Sequence, residues 1–256
     1  MSDVVTMDDL SNEEILSILE DSVRLVPVAR GSVHLPLLEG KVLANMFYEN
    51  STRTRMSFET AMKRLGGSVL NFSSIGTSVS KGETLFDTMQ MVEGYADIAV
   101  IRHPRQGAAQ YSADAIEIPI LNAGDGAGNH PTQTMLDLFT IMEAHGTIEG
   151  LNVVLVGDLR YGRTVHSLSH ALIRFGADLT LVSPETLMMP DEIVNDLRAS
   201  GATISESTDL VAAIPDADVI YMTRIQKERF PDEDEYAKVA GIYMFCLLYT
   251  SDAADE

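Results

Sequence analysis

The chain has 256 residues, of which 45% are hydrophobic, and it carries a formal net charge of -20. This composition is typical of a globular protein, and the length favours two domains. Such an acidic chain argues against nucleic acid or an anionic membrane as a partner, because either needs a basic face. The single cysteine, Cys246, excludes a disulfide framework, and no signal peptide or long apolar run is visible, so we expect a cytoplasmic protein.

The first predicted helix begins at a capping box formed by Ser11 and Glu14, followed by apolar residues at helical spacing. Strands and helices then alternate. Strands are predicted at Val42–Tyr48, Ser68–Phe72, Asp97–Arg102 and Ile118–Asn122, and helices at Thr54–Leu65, Thr84–Tyr95 and Pro131–Ala144.

A polar, glycine-bearing stretch at 145–150 predicts a domain boundary, and the alternation restarts beyond it. Later strands are predicted at Asn152–Val156, Asp178–Val182 and Asp218–Met222, with one helix ending at Phe175 and another at Asp191–Ala199. This order predicts the α/β class, with two doubly wound parallel-sheet domains. We place these domains at residues 1–145 and 146–245.

The segment Ser51-Thr52-Arg53-Thr54-Arg55 lies between the first predicted strand and the next helix. Free backbone N–H groups and the helix dipole favour an anion there, and an arginine fork matches phosphate oxygens. The alternative is an ordinary Ser or Thr N-cap with two solvated arginines. The segment alone does not decide between them.

Other polar side chains also follow predicted strand ends. They are Arg102, His130, Gln133, Arg163, Arg224 and Gln226. Parallel-sheet domains bind ligands beyond the carboxyl ends of their strands, so we expect these side chains to converge on one cleft, which favours the anion site. Taken singly, Arg102 could leave the sheet for water, and His130 could cap a helix rather than polarise a carbonyl group.

Three further patterns leave alternatives open. Residues 78–83 form a small basic loop, either a surface turn or a mobile phosphate clasp. Residues 157–164 approach a nucleotide-binding P-loop, but Arg163 stands where lysine is required, and no acidic strand end completes a magnesium site. His166 and His170 have metal-ligand spacing on a helix but no evident third ligand.

Several motifs together resemble the aspartate carbamoyltransferase branch of the aspartate/ornithine carbamoyltransferase family, from about Asn12 to Gly241. The motifs are Phe47–Arg55, Lys81–Thr84, Arg102–Pro104, His130–Thr134, Gly157–Leu159, Tyr161–Ser167 and Tyr221–Arg229. The Lys-Gly-Glu-Thr loop and Arg224-x-Gln226 favour aspartate over ornithine. An ornithine-specific relative and a P-loop-like nucleotide-binding protein are the alternatives.

The resemblance implies transfer of the carbamoyl group of carbamoyl phosphate to L-aspartate, a step of pyrimidine synthesis that needs no cofactor or metal. It implies a role for each site residue. Ser51, Thr52, Arg53 and Thr54 would hold the phosphate; Thr54, Arg102 and His130 would polarise the carbonyl oxygen; Gln133 would orient the carbamoyl amide; Arg163, Arg224 and Gln226 would bind aspartate. Ser78 and Lys81 would come from a neighbouring subunit of a homotrimer, and a regulatory chain is left open.

One departure from the resemblance lies at the C-terminal end. The family continues through a His-Pro-Leu-Pro-Arg loop and a C-terminal helix, and neither follows Phe245. Residues 246–256 do not resemble the family and look like translated adapter DNA. We therefore expect an incomplete second domain with a non-native tail, which leaves open whether the chain as written is active.

Overall fold

The computed structural model describes residues 2–73, 81–126, 128–225, 236–237, 239 and 241–243. Ser78, Gln226 and the tail at 246–256 lie outside the described residues. The chain divides into two compact units, Met1–Thr140 and Ile141–Glu256. The predicted domain bounds, with a boundary at 145/146 and a separate tail, stay a prediction.

The first unit alternates helices and strands. Its elements are α1 (Asn12–Ala29), β1 (Val42–Phe47), α2 (Thr52–Arg64), β2 (Ser68–Ser73), α3 (Leu85–Glu93), β3 (Ile98–His103), α4 (Ala108–Ala113), β4 (Ile120–Asp125) and α5 (Pro131–His145), which continues into the second unit. The predicted capping box of α1 is confirmed, because Ser11 Oγ accepts the Glu14 N–H at 3.2 Å and Glu14 Oε2 accepts the Ser11 N–H at 2.8 Å.

The four strands of this unit form a parallel sheet in the order β2-β1-β3-β4. Ala99, Val100 and Ile101 of β3 are fully buried, as expected for a central strand covered on both faces. The strand order reverses between β1 and β3, since the chain moves outward to β2 and then returns to the other side of β1. Ligands of open α/β sheets bind at such a switch point.

The second unit repeats this arrangement with shorter elements. They are β5 (Asn152–Val156), α6 (Arg163–Arg174), β6 (Asp178–Val182), α7 (Asp191–Ala199), β7 (Ile204–Ser207), α8 (Leu210–Ala213) and β8 (Val219–Met222). The parallel sheet has the order β7-β6-β5-β8, so its switch point lies between β5 and β8. Val153 to Val156 are fully buried. The predicted α/β class with two parallel sheets is confirmed.

The predicted elements differ from the observed ones mainly at their ends. The strand predicted at Ile118–Asn122 is β4, which begins after Pro119 and continues to Asp125 because Asp125 pairs with His103 across a register shift. The short elements α4, β7 and α8 were not predicted; α4, for example, starts after Gly107 in a left-handed conformation, without a side-chain cap. Among the described residues, no helix is long and apolar enough to cross a membrane.

Candidate active site

The N-terminus of α2 lies at the carboxyl end of β1 and carries the predicted anion-binding segment. Ser51 occupies the N-cap position with an extended backbone, but its side chain makes no capping hydrogen bond, and the first turn holds no acidic residue. Arg53 is exposed, and within the described ranges its guanidinium has no hydrogen bond or ion pair. The N-cap alternative therefore lacks its defining hydrogen bond, while the donors needed for an anion are available.

Arg102 lies at the end of β3, on the other side of the switch point from this segment. Its Nη2 donates to Glu49 Oε1 at 3.0 Å and its Nη1 donates to the Ala123 carbonyl at 3.2 Å. The Arg102 side chain is only 13% exposed. Arg102 therefore does not leave the sheet for water, and its charge is held at the edge where β1, β3 and β4 end.

His130 and Gln133 are brought to the same end of the sheet by the loop after β4. His130 is buried, and its Nδ1 lies 3.3 Å from the Thr132 hydroxyl. Its carbonyl accepts the Gln133 and Thr134 amides at 3.0 and 3.2 Å, which starts α5. The Gln133 side-chain amide donates to Asp137 Oδ1 at 2.9 Å. His130 thus starts α5 through its backbone carbonyl, and its imidazole lies at the carboxyl end of the sheet beside the Thr132 hydroxyl.

Two residues of this loop were not predicted from the sequence, where the candidates were basic, histidine, hydroxyl and glutamine side chains. Asp125 is 4% exposed, and Asn122 is fully buried. Asn122 Nδ2 donates to Asp125 Oδ1 at 3.2 Å, and Asn122 Oδ1 accepts the Gly124 amide at 2.8 Å. The signal that could have found them is an Asx residue beside glycines, because such side chains commonly bind nearby loop backbone.

Tyr48 follows β1 and packs against aromatic rings of β2 and β3. Its ring centroid lies 5.1 Å from that of Phe72 and 5.0 Å from that of His103. Burial raises the pKa of the Tyr48 phenol to about 12, and the nearby Thr88 hydroxyl opposes part of that rise. The pKa of His103 is lowered, mainly by burial and then by the charge of Arg105. Both rings are therefore neutral packing elements at neutral pH.

Lys81 precedes α3 and is exposed. Within the described ranges its ammonium group has no hydrogen bond or ion pair. The segment after it is fixed locally, because Thr84 Oγ1 accepts the Asp87 amide at 3.1 Å and Thr88 Oγ1 donates to Glu83 at 2.7 Å. Lys81 is thus presented outward from a well-anchored helix start.

In the second unit, the loop from Gly157 to Gly162 follows β5 and leads to Arg163, the first residue of α6. Its amides are largely used internally. The Asp158, Leu159 and Tyr161 amides donate to Thr223 Oγ1, the Leu187 carbonyl and Asp158 Oδ1 at 2.8, 3.1 and 2.9 Å. A P-loop needs such amides for phosphate, and a fully buried Asp158 carboxylate would repel one. The loop does not suit a nucleotide phosphate.

Arg163 and Arg224 follow β5 and β8, the two strands that flank the switch point of the second unit. The ends of these strands are joined through Thr223, whose hydroxyl donates to the Val156 carbonyl at 3.1 Å. The predicted grouping of Arg163 with Arg224 thus agrees with the topology, and Gln226 lies outside the described residues.

The histidine pair on α6 gives no support to a metal site. His166 Nε2 lies 2.7 Å from the Leu159 carbonyl oxygen, which can only accept, so this nitrogen carries the proton and cannot ligate a metal. Burial lowers the pKa of His166. No group of three potential metal ligands occurs in the part of the chain that the structure describes.

Comparison with known proteins places both units in one family. Residues 2–143 match the family model described as "Aspartate/ornithine carbamoyltransferase, carbamoyl-P binding domain", and residues 149–246 match the "Asp/Orn binding domain". An aspartate carbamoyltransferase catalytic subunit from Thermococcus onnurineus is 54% identical over 255 residues, covering 99% of this chain and 82% of the relative. One from Archaeoglobus fulgidus is 51% identical over 257 residues, covering 100% and 85%.

Solved structures agree with this assignment. The catalytic subunit of M. jannaschii aspartate transcarbamoylase aligns with a TM-score of 0.91 and 49% identity, covering 98% of this chain and 83% of that chain. The enzyme from Trypanosoma cruzi in complex with N-(phosphonacetyl)-L-aspartic acid aligns with a TM-score of 0.86 and 38% identity, covering 93% and 75%.

Proposed function

The chain belongs to the aspartate/ornithine carbamoyltransferase family, and from this membership we propose that it transfers the carbamoyl group of carbamoyl phosphate to the amine of L-aspartate. The products are N-carbamoyl-L-aspartate and phosphate, and the reaction belongs to pyrimidine de novo biosynthesis. The observation that carries the proposal is the position of Ser51–Arg55 and Arg102 on either side of the β1–β3 switch point, in the unit that matches a carbamoyl phosphate-binding domain.

This reaction needs no nucleophilic side chain, because the aspartate amine attacks the carbonyl carbon itself. The protein has to hold two anionic substrates together and stabilise the charge that develops on the carbonyl oxygen and on the departing phosphate. Arginine forks, hydroxyl groups and helix N–H donors supply such stabilisation. The residues gathered at the first switch point are of these types.

In the first unit, we assign the phosphate to Ser51, Thr52, Arg53 and Thr54, whose first-turn donors are not used by a capping side chain. We assign polarisation of the carbonyl oxygen to Thr54, Arg102 and His130. Gln133 orients the carbamoyl amide, and its hydrogen bond to Asp137 fixes the direction of its own amide group.

In the second unit, Arg163, Arg224 and Gln226 bind the carboxylates of aspartate. Support comes from the switch point between β5 and β8, which Arg163 and Arg224 flank. Two guanidinium groups suit a dicarboxylate, whereas ornithine carries an extra amine that they would repel.

Ser78 and Lys81 reach the phosphate of a neighbouring protomer, so the working enzyme is a homotrimer with shared active sites, to which a regulatory chain can be added. The exposed, unpaired ammonium of Lys81 in the described structure supports this assignment. The protein acts in the cytoplasm, where its one cysteine needs no partner.

A direct assay tests the proposal. The protein is incubated with carbamoyl phosphate and either L-aspartate or L-ornithine, and the carbamoylated product is measured. We expect carbamoyl aspartate to accumulate and no product from ornithine. Product from ornithine alone would reverse the substrate assignment, and magnesium-dependent ATP binding that requires Arg163 would instead favour a nucleotide-binding protein.

A further inference from the structure

The loop that carries His130 is held by a carboxylate that none of the substrate contacts proposed above includes. Asp125 ends β4, and its side chain is almost wholly buried, with 4% of the residue exposed. A buried carboxylate is costly unless hydrogen-bond donors surround it. The surroundings of Asp125 therefore indicate what the residue does.

Three donors from three segments converge on the Asp125 carboxylate. Oδ1 accepts the backbone amide of Asn129 at 2.9 Å and the side-chain amide of Asn122 at 3.2 Å. Oδ2 accepts the backbone amide of Gly107 at 2.8 Å. Asn129 directly precedes His130, and Gly107 lies in the loop that follows β3, which ends one residue after Arg102. One side chain thus connects the loop after β3, β4 itself and the approach to His130.

Backbone bonds around Asp125 reinforce the connection. The Gly128 amide donates to the Asp125 carbonyl at 2.8 Å, and the Gly126 amide donates to the His103 carbonyl at 2.9 Å. Gly126 has a positive φ of 53°, and a Cβ there would lie 2.7 Å from the Gln106 amide nitrogen. The loops after β3 and β4 are therefore packed backbone against backbone, with the carboxylate between them.

We propose that Asp125 is a positioning residue that sets the place of the His130 imidazole relative to the end of β3, and so controls polarisation of the carbonyl oxygen. The inference rests on the proposed function in that His130 is taken to act on the carbamoyl group. Asp125 does not touch substrate and acts through His130. In Asp125→Asn, one carboxylate oxygen that accepts a hydrogen bond is replaced by an NH2 group that donates one. This NH2 group would face an N–H donor of the loop and displace it.

Kinetics of a double-mutant cycle test this assignment. Asp125→Asn should lower kcat on the order of 100-fold, because a small misplacement of a catalytic group can cost that much. The KM for carbamoyl phosphate should change little, since the phosphate is held from α2. Adding Asp125→Asn to His130→Ala should lower kcat by less than about twofold, because the two changes remove the same contribution. Additive losses, or wild-type kcat in Asp125→Asn, would overturn the inference.

A spectroscopic readout makes the test independent of turnover. The chain has 6 histidines, so their imidazole resonances can be assigned by substitution. Asp125→Asn should move the His130 resonance and leave His166 of the second unit unchanged. Asp114→Asn is the matched control, because it removes an exposed carboxylate that accepts a hydrogen bond from Gln110 Nε2. If the unaltered protein makes no carbamoyl aspartate, the proposed function fails, while an unmoved His130 resonance would still refute the inference.

A second variant covers the case in which Asp125→Asn does not fold. A Cβ at Gly128 would lie 2.9 Å from Asp125 Oδ1, so Gly128→Ala presses on the carboxylate without removing it. It should also lower kcat and move the His130 resonance. Gly94→Ala is its control, since a Cβ there meets nothing closer than the Met91 carbonyl at 3.4 Å. Wild-type kcat and an unmoved resonance in Gly128→Ala would count against the role of Asp125.

Discussion

Arg102 and Glu49 form an ion pair at the ends of β3 and β1, with Nη2 3.0 Å from Oε1. In the structure, the charge proposed to meet the carbonyl oxygen is thus already compensated by a carboxylate. Incoming carbamoyl phosphate would meet both the arginine proposed to polarise its carbonyl group and a carboxylate that repels its phosphate. The strength of substrate binding therefore depends on this pair.

Glu49→Gln should tighten the binding of inorganic phosphate, because it removes the competing negative charge. Glu49 is 36% exposed, so solvent screens the pair and the gain is at most about 1 kcal/mol, or fivefold in affinity. Titration calorimetry measures it. Glu59→Gln, which removes the charge paired with Lys63 within α2, should leave phosphate affinity unchanged. Weaker phosphate binding in Glu49→Gln would contradict this view.

Arg53→Ala and Lys81→Ala should each abolish most turnover, because each removes a proposed charge-assisted contact to phosphate. If the two residues act from different subunits, dissociated and remixed variants should regain activity in the hybrid trimers that hold one intact site. The measurement is carbamoyl aspartate formation after mixing. Hybrid trimers, verified by their mass, that stay inactive would place both residues in the same protomer's site.

Arg163→Ala should raise the KM for aspartate by about 10- to 100-fold, the loss expected for one hydrogen-bonded charge contact. The KM for carbamoyl phosphate should stay close to its original value, since that substrate is assigned to the first unit. Arg160→Ala is the matched control, because Arg160 is exposed on the same loop and lies over the Tyr161 ring. Equal effects of the two variants on aspartate would argue against the assignment of Arg163.

Tyr48 gives the first unit a pH-dependent stability. Its folded pKa of about 12 lies above the value of about 10 expected in an unfolded chain, so the folded state favours the protonated phenol. The resulting stability is complete below pH 10 and is lost as the pH rises towards 12. Denaturant unfolding between pH 9 and about 11.5 should show a decline that is smaller in Tyr48→Phe. Tyr95→Phe, at an exposed position, should keep the full decline.

Both the backbone conformation and the neighbouring atoms require glycine at position 157. Its φ is 115°, and a Cβ would lie 2.6 Å from the Thr223 carbonyl oxygen. Gly157→Ala should lower the free energy of unfolding by about 1–3 kcal/mol through strain and by more through the clash. Gly150→Ala separates the two causes, because Gly150 also has a positive φ, of 77°, but open space around its Cβ. If Gly157→Ala and Gly150→Ala lower the free energy of unfolding equally in denaturant melts, the clash does not contribute.

Sequence patterns predicted much of this fold because continuously apolar strands such as Asn152–Val156 have to be buried on both faces, and their ends are marked by glycine or charge. The same reasoning expected Arg53, Arg102, Arg163 and Arg224 to lie past strand ends and to share one cleft, since parallel strands bring their carboxyl ends together; the shared cleft stays a prediction. The short helix α4 was not predicted because it is only six residues long and has no capping side chain.

Side-chain partners could not be predicted from the sequence because they depend on the register of strand pairing. Glu49 meets Arg102 only because β1 pairs with β3 so that Phe47 lies opposite Arg102. Asp125 reaches Gly107 only because β4 carries it past a register shift opposite His103. Neither contact leaves a periodic pattern, so both the pairing that restrains Arg102 and the carboxylate that holds the His130 loop became visible only in three dimensions.

The missing side-chain cap on α2 has a consequence for the intact protein. Ser51 makes no side-chain capping hydrogen bond to the first-turn amides, so the proposed phosphate ligand would complete the helix start. Binding that occurs only in the folded state raises stability, by about 2.7 kcal/mol at a ligand concentration 100 times its Kd. Resistance to heat and proteolysis should then rise with the concentration of carbamoyl phosphate.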